Sequence, residues 1–354
     1  MSETKKIAVL PGDGIGVEVT ASAVTVLKAA AATAGLSLEF EEFPFGTDCY
    51  RANGTAFPDA TRAGCQGADA VLLGAVGSAN PTNHDELGLL DLRKALGLYA
   101  NLRPIKVFSE LAHATPFRAE VVQDVDFIIV RELSEGLYYG DRTLTEDRAT
   151  DECFYTKGAI ERLARSAGTV GRERGVKVTS VDKVNVLATS KLWRATFTEV
   201  FANEFPDVEL EHMLVDAMAM IAITHPGRLG VVATENTFGD ILSDECSVLA
   251  GGLGMLPSGS FGDPGPALYE PVHGSAPDIA GKGISNPIGA IMSAAMMAEH
   301  SLGAPAVARA MEAAVTAALA DGARTADLAR NGEATVGTQA FTDAVLAHLA
   351  SPVS

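Results

Sequence analysis

The stretch ENTFGDILSDEC, residues Glu235–Cys246, is the part of the sequence around which the rest is arranged. It carries Asp240 and Asp244 four residues apart, and in a helix this spacing places both carboxylates on one face, one turn apart. Two hard oxygen ligands on one rigid face suit Mg²⁺ or Mn²⁺, which keep other coordination positions for water and substrate. The same pair is also typical of a solvated helix N-terminus, where acids are favourable. Spacing alone leaves both interpretations open.

The composition is that of a globular enzyme. The chain has 354 residues, of which 47% are hydrophobic and 20% charged, enough for a sizeable core and two lobes. A net charge of −18 argues against nucleic acid and anionic membrane as partners. The cysteines have no CxxC or CxH spacing, which predicts reduced thiols, and no apolar run suits a signal peptide or a membrane span. We therefore predict a soluble, cytoplasmic protein.

Strand-like and helix-like segments alternate along the chain. Lys6–Leu10 reads as a short buried strand, and a helix follows the turn PGDGIG and continues to about Ala34. Further strands are predicted at Ala70–Leu73, Phe127–Val130, Val176–Val181 and Leu229–Val232, and helices near 156–174, 189–204 and 238–250. Ile288–Leu349 reads as a set of alanine-rich helices. Alternation of this kind predicts an α/β fold in which helices cover a sheet.

The two glycine-rich segments do not contain a standard nucleotide motif. Gly12, Gly14 and Gly16 approach the dinucleotide fingerprint, but the position that requires glycine holds Val17. The proline- and glycine-rich segment Phe261–Pro287 is predicted to form neither a regular helix nor a regular strand. A long irregular loop in a compact chain is more often functional than idle. A cofactor, if present, must be held in another way.

Several basic and acidic residues are candidates for a site. Arg93, Arg103 and Arg131 are isolated in the sequence, and the last two lie at the ends of predicted elements. Arginine binds carboxylates bidentately, so three in one cleft would suit a dianionic acid. Lys183 follows a predicted strand and could accept a proton if it were buried beside a metal. Asp216 could be an ordinary helix cap.

Six motifs, in order, connect these residues to a known family. They are PGDGIG, GLLDLRK with LYANLRP, VRELSEGLYYG, SVDKVNVL, TENTFGDILSDE and EPVHGSAPDIAGKGISNP. With them the chain resembles, nearly end to end, the metal-dependent β-decarboxylating dehydrogenases of the isocitrate/isopropylmalate family. The resemblance implies an α/β, two-lobed, non-Rossmann fold with helices covering a mixed sheet. It also implies a discontinuous cofactor-binding domain, residues 1–99 plus 252–354, and a substrate, metal and dimerisation domain, residues 100–251.

The same resemblance implies a homodimer with shared active sites. Asp240 and Asp244 would bind Mg²⁺ or Mn²⁺ from one subunit, and Asp216 would reach the same metal from the other. Lys183, also from the partner, would be the base that takes the hydroxyl proton. Tyr138 would be the acid that protonates the enol.

Substrate and cofactor contacts follow from the resemblance as well. The implied substrate contacts are Arg93, Arg103, Arg131, Asp216, Leu89 and Leu90. The implied NAD contacts are Gly74, Glu86, His273, Gly274, Ser275, Ala276, Asp278, Ile279 and Asn286. Asp278 would face the adenosine ribose hydroxyls and repel a 2′-phosphate, which favours NAD over NADP.

The chemistry of the family agrees with these roles. A 2-hydroxy acid with a 3-carboxylate is oxidised to a β-keto acid, which loses CO₂, so one base, one acid and a charge-stabilising metal are needed. Leu87, Leu89 and Leu90 before Arg93 suit an isopropyl group better than a carboxylate. The resemblance, with which these leucines agree, therefore implies NAD- and Mg/Mn-dependent oxidative decarboxylation of 3-isopropylmalate to 4-methyl-2-oxopentanoate, in leucine biosynthesis. The alternatives are isocitrate, homoisocitrate and tartrate or malate as substrates.

One alternative lies outside this class, and two departures from the family pattern stand out. A non-catalytic metal- or nucleotide-binding regulator would be expected to lack Lys183 or Tyr138, and both are present. Glu135 stands where relatives of the TGG type carry glycine, so the backbone there is expected to differ slightly. The segment Ile221–His225 after Asp216 is more apolar than expected.

Overall fold

The computed structural model describes residues 4–77, 83–330 and 332–350, and the side chains of residues 83–87 lie outside that description. The strands are β1 Lys5–Gly12, β2 Leu38–Glu42, β3 Ala70–Ala75, β4 Leu98–Lys106, β5 Asp126–Glu132, β6 Arg142–Leu144, β7 Ala149–Asp151, β8 Val178–Asp182, β9 Leu210–Leu214, β10 Val231–Thr234, β11 Pro257–Gly262 and β12 Ala267–Pro271. The helices are α1 Gly16–Thr33, α2 Thr47–Asn53, α3 Asp59–Gln66, α4 Asn83–Ala95, α5 Ala119–Val122, α6 Lys157–Arg174, α7 Ala188–Glu204, α8 Val215–Thr224, α9 Asn236–Ala250, α10 Ile288–His300, α11 Pro305–Ala320 and α12 Thr338–Ala350. None of the described helices combines the length and the apolar character needed to cross a membrane.

The chain divides into two compact units. The first unit comprises Met1–Gly97, Phe108–Pro116 and Ala250–Ser354, and the second comprises Leu98–Val107 and Phe117–Leu249. The domain boundaries predicted above differ from these units chiefly at residues 108–116, which they assigned to the second domain. In the structure that short segment belongs to the first unit.

In the first unit the strand order is β2-β1-β3-β12-β11. All neighbouring pairs are parallel except β11 and β12, which are antiparallel. The apolar runs Ile7–Leu10 and Ala70–Ala75 are buried throughout, without alternation. Continuous burial of this kind is what a parallel sheet shows when both of its faces are covered. The predicted alanine-rich C-terminal helices are α10, α11 and α12.

The prediction that Phe261–Pro287 contains no regular strand is wrong. Ala267–Pro271 forms β12, which pairs with β11 on one side and with β3 on the other. Its residues are buried, and burial between two strands outweighs the helix- and strand-breaking composition around it. Pro271 is tolerated because it stands at the last position of the strand.

In the second unit the strand order is β4-β5-β10-β8-β9. β4 and β5 are antiparallel, and the other neighbouring pairs are parallel. Thr234 at the end of β10 is in register with Arg131 on β5 and with Val181 on β8. The carboxyl ends of these three strands therefore meet at one edge of the sheet, as ligand-binding residues do in open α/β sheets. Arg131, Lys183 and Glu235 all lie at that edge.

Candidate active site

Helix α9 begins at this edge and is capped by a residue of the predicted stretch. Glu235 is buried, and its carboxylate accepts hydrogen bonds from the backbone N–H groups of Thr237 and Phe238 at 3.2 and 2.6 Å. The hydroxyl of Tyr155 donates to the same carboxylate at 2.8 Å and accepts the N–H of Asn236 at 3.0 Å. An acidic cap at this position satisfies N–H groups that have no partner within the helix.

Arg131, at the end of β5, is 2% exposed and reaches two residues of α9. Its Nε and Nη2 donate to Oδ1 of Asn236 at 3.2 and 2.8 Å, and its Nη1 donates to Oδ1 of Asp240 at 2.5 Å. Gly239 allows this close approach, because a Cβ there would lie 2.7 Å from Cγ of Arg131. A buried guanidinium held in this way is fixed in orientation.

Arg103, on β4, is 6% exposed and reaches the same face of α9. Its Nε donates to Oδ1 of Asn101 at 2.8 Å, and its Nη1 donates to Oγ of Ser243 at 2.5 Å. The same Nη1 lies 3.6 Å from a carboxylate oxygen of Asp240 and 3.7 Å from one of Asp244. Both carboxylates remain partly exposed. Two buried arginines thus face two solvent-accessible aspartates.

Tyr138 completes this group. Its hydroxyl donates to Oδ2 of Asp240 at 3.0 Å. Burial, together with the negative charge of Asp240, raises the pKa of Tyr138 to about 12. Burial also raises the pKa of Asp244, although the neighbouring Arg103 opposes that shift. The phenol therefore carries its proton at neutral pH, as a proton donor must.

Lys183 and Asp216 form a pair elsewhere in the second unit. Lys183 follows β8, and its backbone N–H donates to Oγ of Ser190 at 2.9 Å. Its ammonium donates to both carboxylate oxygens of Asp216, at the start of α8. Among the described residues of this single chain, no three His, Cys, Asp or Glu side chains are grouped so that they could hold a metal ion. That Asp216 serves the metal of a second subunit stays a prediction.

Arg93 belongs to the first unit, where it is 8% exposed on α4. Its Nη2 donates to Oε1 of Glu270 at 3.1 Å, and its Nε is buried without a partner among the described residues. Leu89 and Leu90 on the same helix are partly exposed, whereas Leu92 is in the core. A buried guanidinium with an unused donor is suited to a ligand carboxylate. The predicted contact Glu86 lies outside the described side chains, as does Leu87.

A pocket of about 390 Å³ lies in the first unit beside the loop between β12 and α10. It is lined by Ile15, Gly254, His273, Ile279, Ile284, Ser285, Asn286, Ala326 and Asp327. Nδ1 of His273 donates to the carbonyl of Gly274 at 2.9 Å, while its Nε2 is buried without a partner in the described part of the chain. Burial lowers the pKa of His273. A neutral imidazole nitrogen is therefore available to a ligand.

The other predicted cofactor contacts are placed differently. Four lie in the same loop but do not line the pocket: Gly274, Ser275, Ala276 and Asp278. The carbonyl of Ser275 instead accepts the N–H of Ile15 at 2.8 Å. Gly74 is buried in β3, where a Cβ would lie 2.4 Å from Oγ1 of Thr20 and 2.6 Å from the carbonyl oxygen of Gly16. Close packing of β3 against the start of α1 explains the glycine at 74 without a ligand.

The turn PGDGIG has a structural role that agrees with the missing fingerprint. Asp13 is buried, and its carboxylate accepts the backbone N–H groups of Thr47, Asp48 and Gly77 at 2.8, 3.0 and 3.0 Å. A Cβ at Gly12 would meet a backbone oxygen at 1.9 Å. The glycines of this turn permit close backbone approach, and its aspartate joins three segments.

Sequence reasoning missed the polar residues that hold the arginines. Asn236 and Ser243 share the face of Asp240 and Asp244, at helical spacing. The polar stripe of α9 could therefore have been recognised from its period. Asn101 lies only two residues from Arg103, which it holds. Glu270 and the pocket residue Asp327 had no local signal, because they contact Arg93 and Asn286 far away in the chain.

Known proteins resemble this chain over nearly its whole length. The profile of the family described as isocitrate/isopropylmalate dehydrogenase matches residues 6–345. A 3-isopropylmalate dehydrogenase of Bacillus licheniformis is 52% identical over 357 residues, covering 98% of this chain and 96% of the relative. One from Bacillus subtilis is 51% identical over 358 residues, covering 98% of both.

Solved structures agree with the sequence relatives. The crystal structure of isocitrate dehydrogenase from Methylococcus capsulatus has a TM-score of 0.89 and 36% identity, covering 98% of this chain and 100% of that one. A beta-decarboxylating dehydrogenase from Thermococcus kodakarensis has a TM-score of 0.81 and 38% identity, covering 98% and 96%. The predicted fold class is thereby confirmed. The chain belongs to the isocitrate/isopropylmalate dehydrogenase family.

Proposed function

We propose that the chain catalyses the NAD- and Mg²⁺- or Mn²⁺-dependent oxidative decarboxylation of 3-isopropylmalate to 4-methyl-2-oxopentanoate, a step of leucine biosynthesis in the cytoplasm. The observation that carries the proposal is the convergence of Arg103, Arg131 and Tyr138 on Asp240. The two arginines can bind carboxylates, and Tyr138 is a protonated acid. The choice of substrate is supported by relatives that carry the name 3-isopropylmalate dehydrogenase at 52% and 51% identity.

The acidic face of α9 fits a divalent metal. Asp240 and Asp244 supply hard oxygen ligands that remain partly exposed beside buried guanidinium groups. With Arg103 and Arg131 the four charges cancel. A dication and a dicarboxylate can therefore bind together without leaving a net charge in the site. An uncompensated charge in a partly buried site would be costly. Asp216 of the partner subunit would complete the ligand set.

The pocket beside His273 fits the adenosine end of NAD. Its volume of about 390 Å³ falls in the usual range for ligand sites, and such sites combine apolar walls with a few polar groups. Ile15, Ile279 and Ile284 supply the walls, and the unpartnered Nε2 of His273 supplies one polar atom. Asp278, next to Ile279, is exposed and would disfavour a 2′-phosphate.

The residues of this chain can be assigned to the steps of the reaction. Arg103 and Arg131 would orient the substrate carboxylates, with Arg93 contributing from α4. Lys183 of the partner subunit would take the proton of the 2-hydroxyl group. Tyr138 would return a proton to C3 after CO₂ leaves, so the proton count balances. The chemistry supplied by the bound groups is hydride acceptance at the nicotinamide and charge compensation at the substrate oxygen by the cation.

The second unit also offers a surface for dimerisation. Met220 on α8 and Ile241 on α9 are 61% and 63% exposed, and Val248 is exposed further along α9. Ile241 and Val248 lie seven residues apart and so share one face of α9, and exposed apolar side chains that share a face are typical of an interface. A homodimer formed there would bring Lys183 and Asp216 of one subunit towards the other by two-fold symmetry.

An activity assay tests the proposal directly. NADH formation is measured with 3-isopropylmalate, isocitrate or malate, with NAD or NADP, and in EDTA-treated protein before and after Mg²⁺ is restored. We expect turnover with 3-isopropylmalate and NAD that disappears in EDTA and returns with Mg²⁺. Faster turnover of isocitrate would reassign the substrate, and full activity in EDTA would reject the metal.

A further inference from the structure

We infer that Glu135 is a positioning residue, which fixes the loop of residues 134–138 and through it the Tyr138 phenol and the Arg131 guanidinium. The inference deepens the proposed function and rests on it for its catalytic consequence. The contacts by which this one carboxylate holds the loop all lie within the second unit.

The carboxylate of Glu135 takes both donors of a single residue. The backbone N–H of Thr156 donates to its Oε2 at 2.6 Å, and the Thr156 hydroxyl donates to its Oε1 at 2.8 Å. Thr156 is the N-cap of α6, and its hydroxyl oxygen accepts the N–H of Ala159 at 3.2 Å. In a capping box the glutamate belongs to the same helix. Here it comes from 21 residues upstream, so the bond fastens the loop to the helix.

The backbone of Glu135 is connected to Arg131 through the side chain of Asn236. Its carbonyl oxygen accepts Nδ2 of Asn236 at 3.1 Å. The other end of that amide, Oδ1, accepts two hydrogen bonds from Arg131. An amide whose nitrogen is held by a carbonyl must present its oxygen on the opposite side. Displacing residue 135 therefore releases the group that orients the Arg131 guanidinium.

The residues after Glu135 connect the loop to Tyr138. The N–H of Gly136 donates to the carbonyl of Phe154 at 2.9 Å. Gly136 has a φ of +92°, and a Cβ there would lie 2.1 Å from the hydroxyl oxygen of Tyr155. Residues 154–156 thus hold the loop on one side by backbone and side-chain bonds. Two residues further on, Tyr138 donates to Asp240.

Other contacts of the loop do not replace this link. Glu132 accepts the N–H groups of Ser134 and Glu135 at 2.8 and 2.9 Å, which shapes the turn at the end of β5 but does not join it to α6. Arg162 of α6 reaches Oγ of Ser134 at 3.3 Å, a single longer bond. Two short bonds to an ionised carboxylate are the stronger restraint.

The test compares Glu135→Ala with Glu204→Ala. Glu204 also binds a residue of α6 in the same unit, through a bidentate pair with Arg165 at 2.8 and 2.9 Å, but has no contact with the loop. We expect Glu135→Ala to lower kcat/KM for 3-isopropylmalate about 10- to 100-fold, the usual effect of misplaced catalytic groups. The KM for NAD should stay within about twofold, because the pocket proposed for it belongs to the first unit. Glu204→Ala should stay within about twofold in both, as exposed ion pairs contribute little.

A second readout does not depend on activity. Hydrogen exchange of the amides in residues 134–138 and 154–159 should become about tenfold faster in Glu135→Ala and not in Glu204→Ala. The reason is that Glu135 restrains the local opening of these two segments, whereas Glu204 does not. Glu135→Gln keeps one acceptor oxygen and should fall between wild type and Glu135→Ala in both measurements. It also provides the test if the alanine variant does not fold.

Three results would overturn the inference. They are unchanged exchange in both segments, wild-type kcat/KM in Glu135→Ala, and an equal loss in Glu204→Ala. Failure of the proposed function is distinguished by the wild type: if it does not turn over 3-isopropylmalate, that function is rejected. The exchange comparison then decides by itself whether Glu135 holds the loop.

Discussion

Gly239 shows how a single missing methyl group makes room for the Arg131 side chain. It lies in α9 directly over the stem of Arg131, with room for no Cβ. Glycine normally weakens a helix by roughly 0.5–1 kcal/mol relative to alanine. The glycine is therefore explained by the approach of the Arg131 side chain, which alanine would displace from Asn236 and Asp240.

We predict that Gly239→Ala lowers both stability and activity. The gain in helix propensity, at most about 1 kcal/mol, is smaller than the roughly 1–3 kcal/mol that overpacking costs. Because the displaced group is Arg131, kcat/KM for 3-isopropylmalate should fall while the KM for NAD is retained. Thermal unfolding and steady-state kinetics measure the two effects.

Gly158 provides the matched control. It is also helical, in α6, but no atom lies within 4 Å of a Cβ built there. Gly158→Ala should leave activity unchanged and keep or raise the melting temperature. If Gly239→Ala behaved in the same way, the contact between Gly239 and Arg131 would not position the guanidinium.

At the scale of elements, the edge strand β9 carries His212, whose burial leads us to predict that stability depends on pH. The Thr198 hydroxyl donates to the carbonyl of Arg194 at 2.8 Å, so it must accept from Nε2 of His212 at 2.9 Å. Nδ1 of His212 is then an unprotonated nitrogen, buried without a partner among the described residues. Burial, with a contribution from the positive charge of Arg194, lowers the pKa of His212.

This shift predicts a loss of stability in acid. Below the unfolded pKa of about 6.5, the unfolded chain binds the proton more readily than the folded chain does. The free energy of unfolding should therefore fall as the pH decreases from about 6.5 towards the lower, folded pKa. His212→Gln, which can still donate to Thr198, should lose less stability between pH 7.5 and 5 than the wild type.

Urea unfolding at a fixed protein concentration measures this difference, because dimerisation would make stability depend on concentration. The replacement itself can change the free energy of unfolding at pH 7.5. The quantity to compare is therefore how steeply that free energy changes with pH in each protein. Parallel curves for the variant and the wild type would exclude His212 as a contributor.

At the scale of the whole molecule, the proposed active site is shared across a two-fold axis. Lys183 pairs with Asp216 within this chain, while Arg131 and Tyr138 pair with Asp240. The proposed reaction would need groups from both sets. In an isologous dimer the two sites are equivalent, so defects in different sets can complement each other.

We predict recovery of activity when Lys183→Met and Asp240→Asn subunits are mixed. Each variant should be nearly inactive alone. Random reassortment of equal amounts makes about half of the dimers mixed, and each of these contains one intact site, so about a quarter of all sites should recover. Mass spectrometry confirms that subunits have exchanged. Background activity in an exchanged mixture would show that Lys183 serves its own subunit.

Much of the secondary structure and part of the site could be predicted because their signals are local. Helices α6, α7 and α9 lie within two residues of the predicted limits, since helical period and end residues are read within one segment. Asp240 and Asp244 were placed on one face by their spacing. β12 was missed because neighbouring strands stabilise it, and propensity within the segment does not report tertiary pairing.

The α/β alternation, the family and the polar face of α9 could be predicted from the sequence, because each is encoded in the order or period of nearby residues. Which side chains meet could not be predicted in this way, because it depends on the packing of distant segments. Arg131 and Asn236 are 105 residues apart, Arg103 and Ser243 are 140 apart, and Arg93 and Glu270 are 177 apart. Such contacts depend on strand order and on which helix covers which edge. Strand order and helix placement result from the burial of apolar surface throughout the chain, so they cannot be read from any single segment.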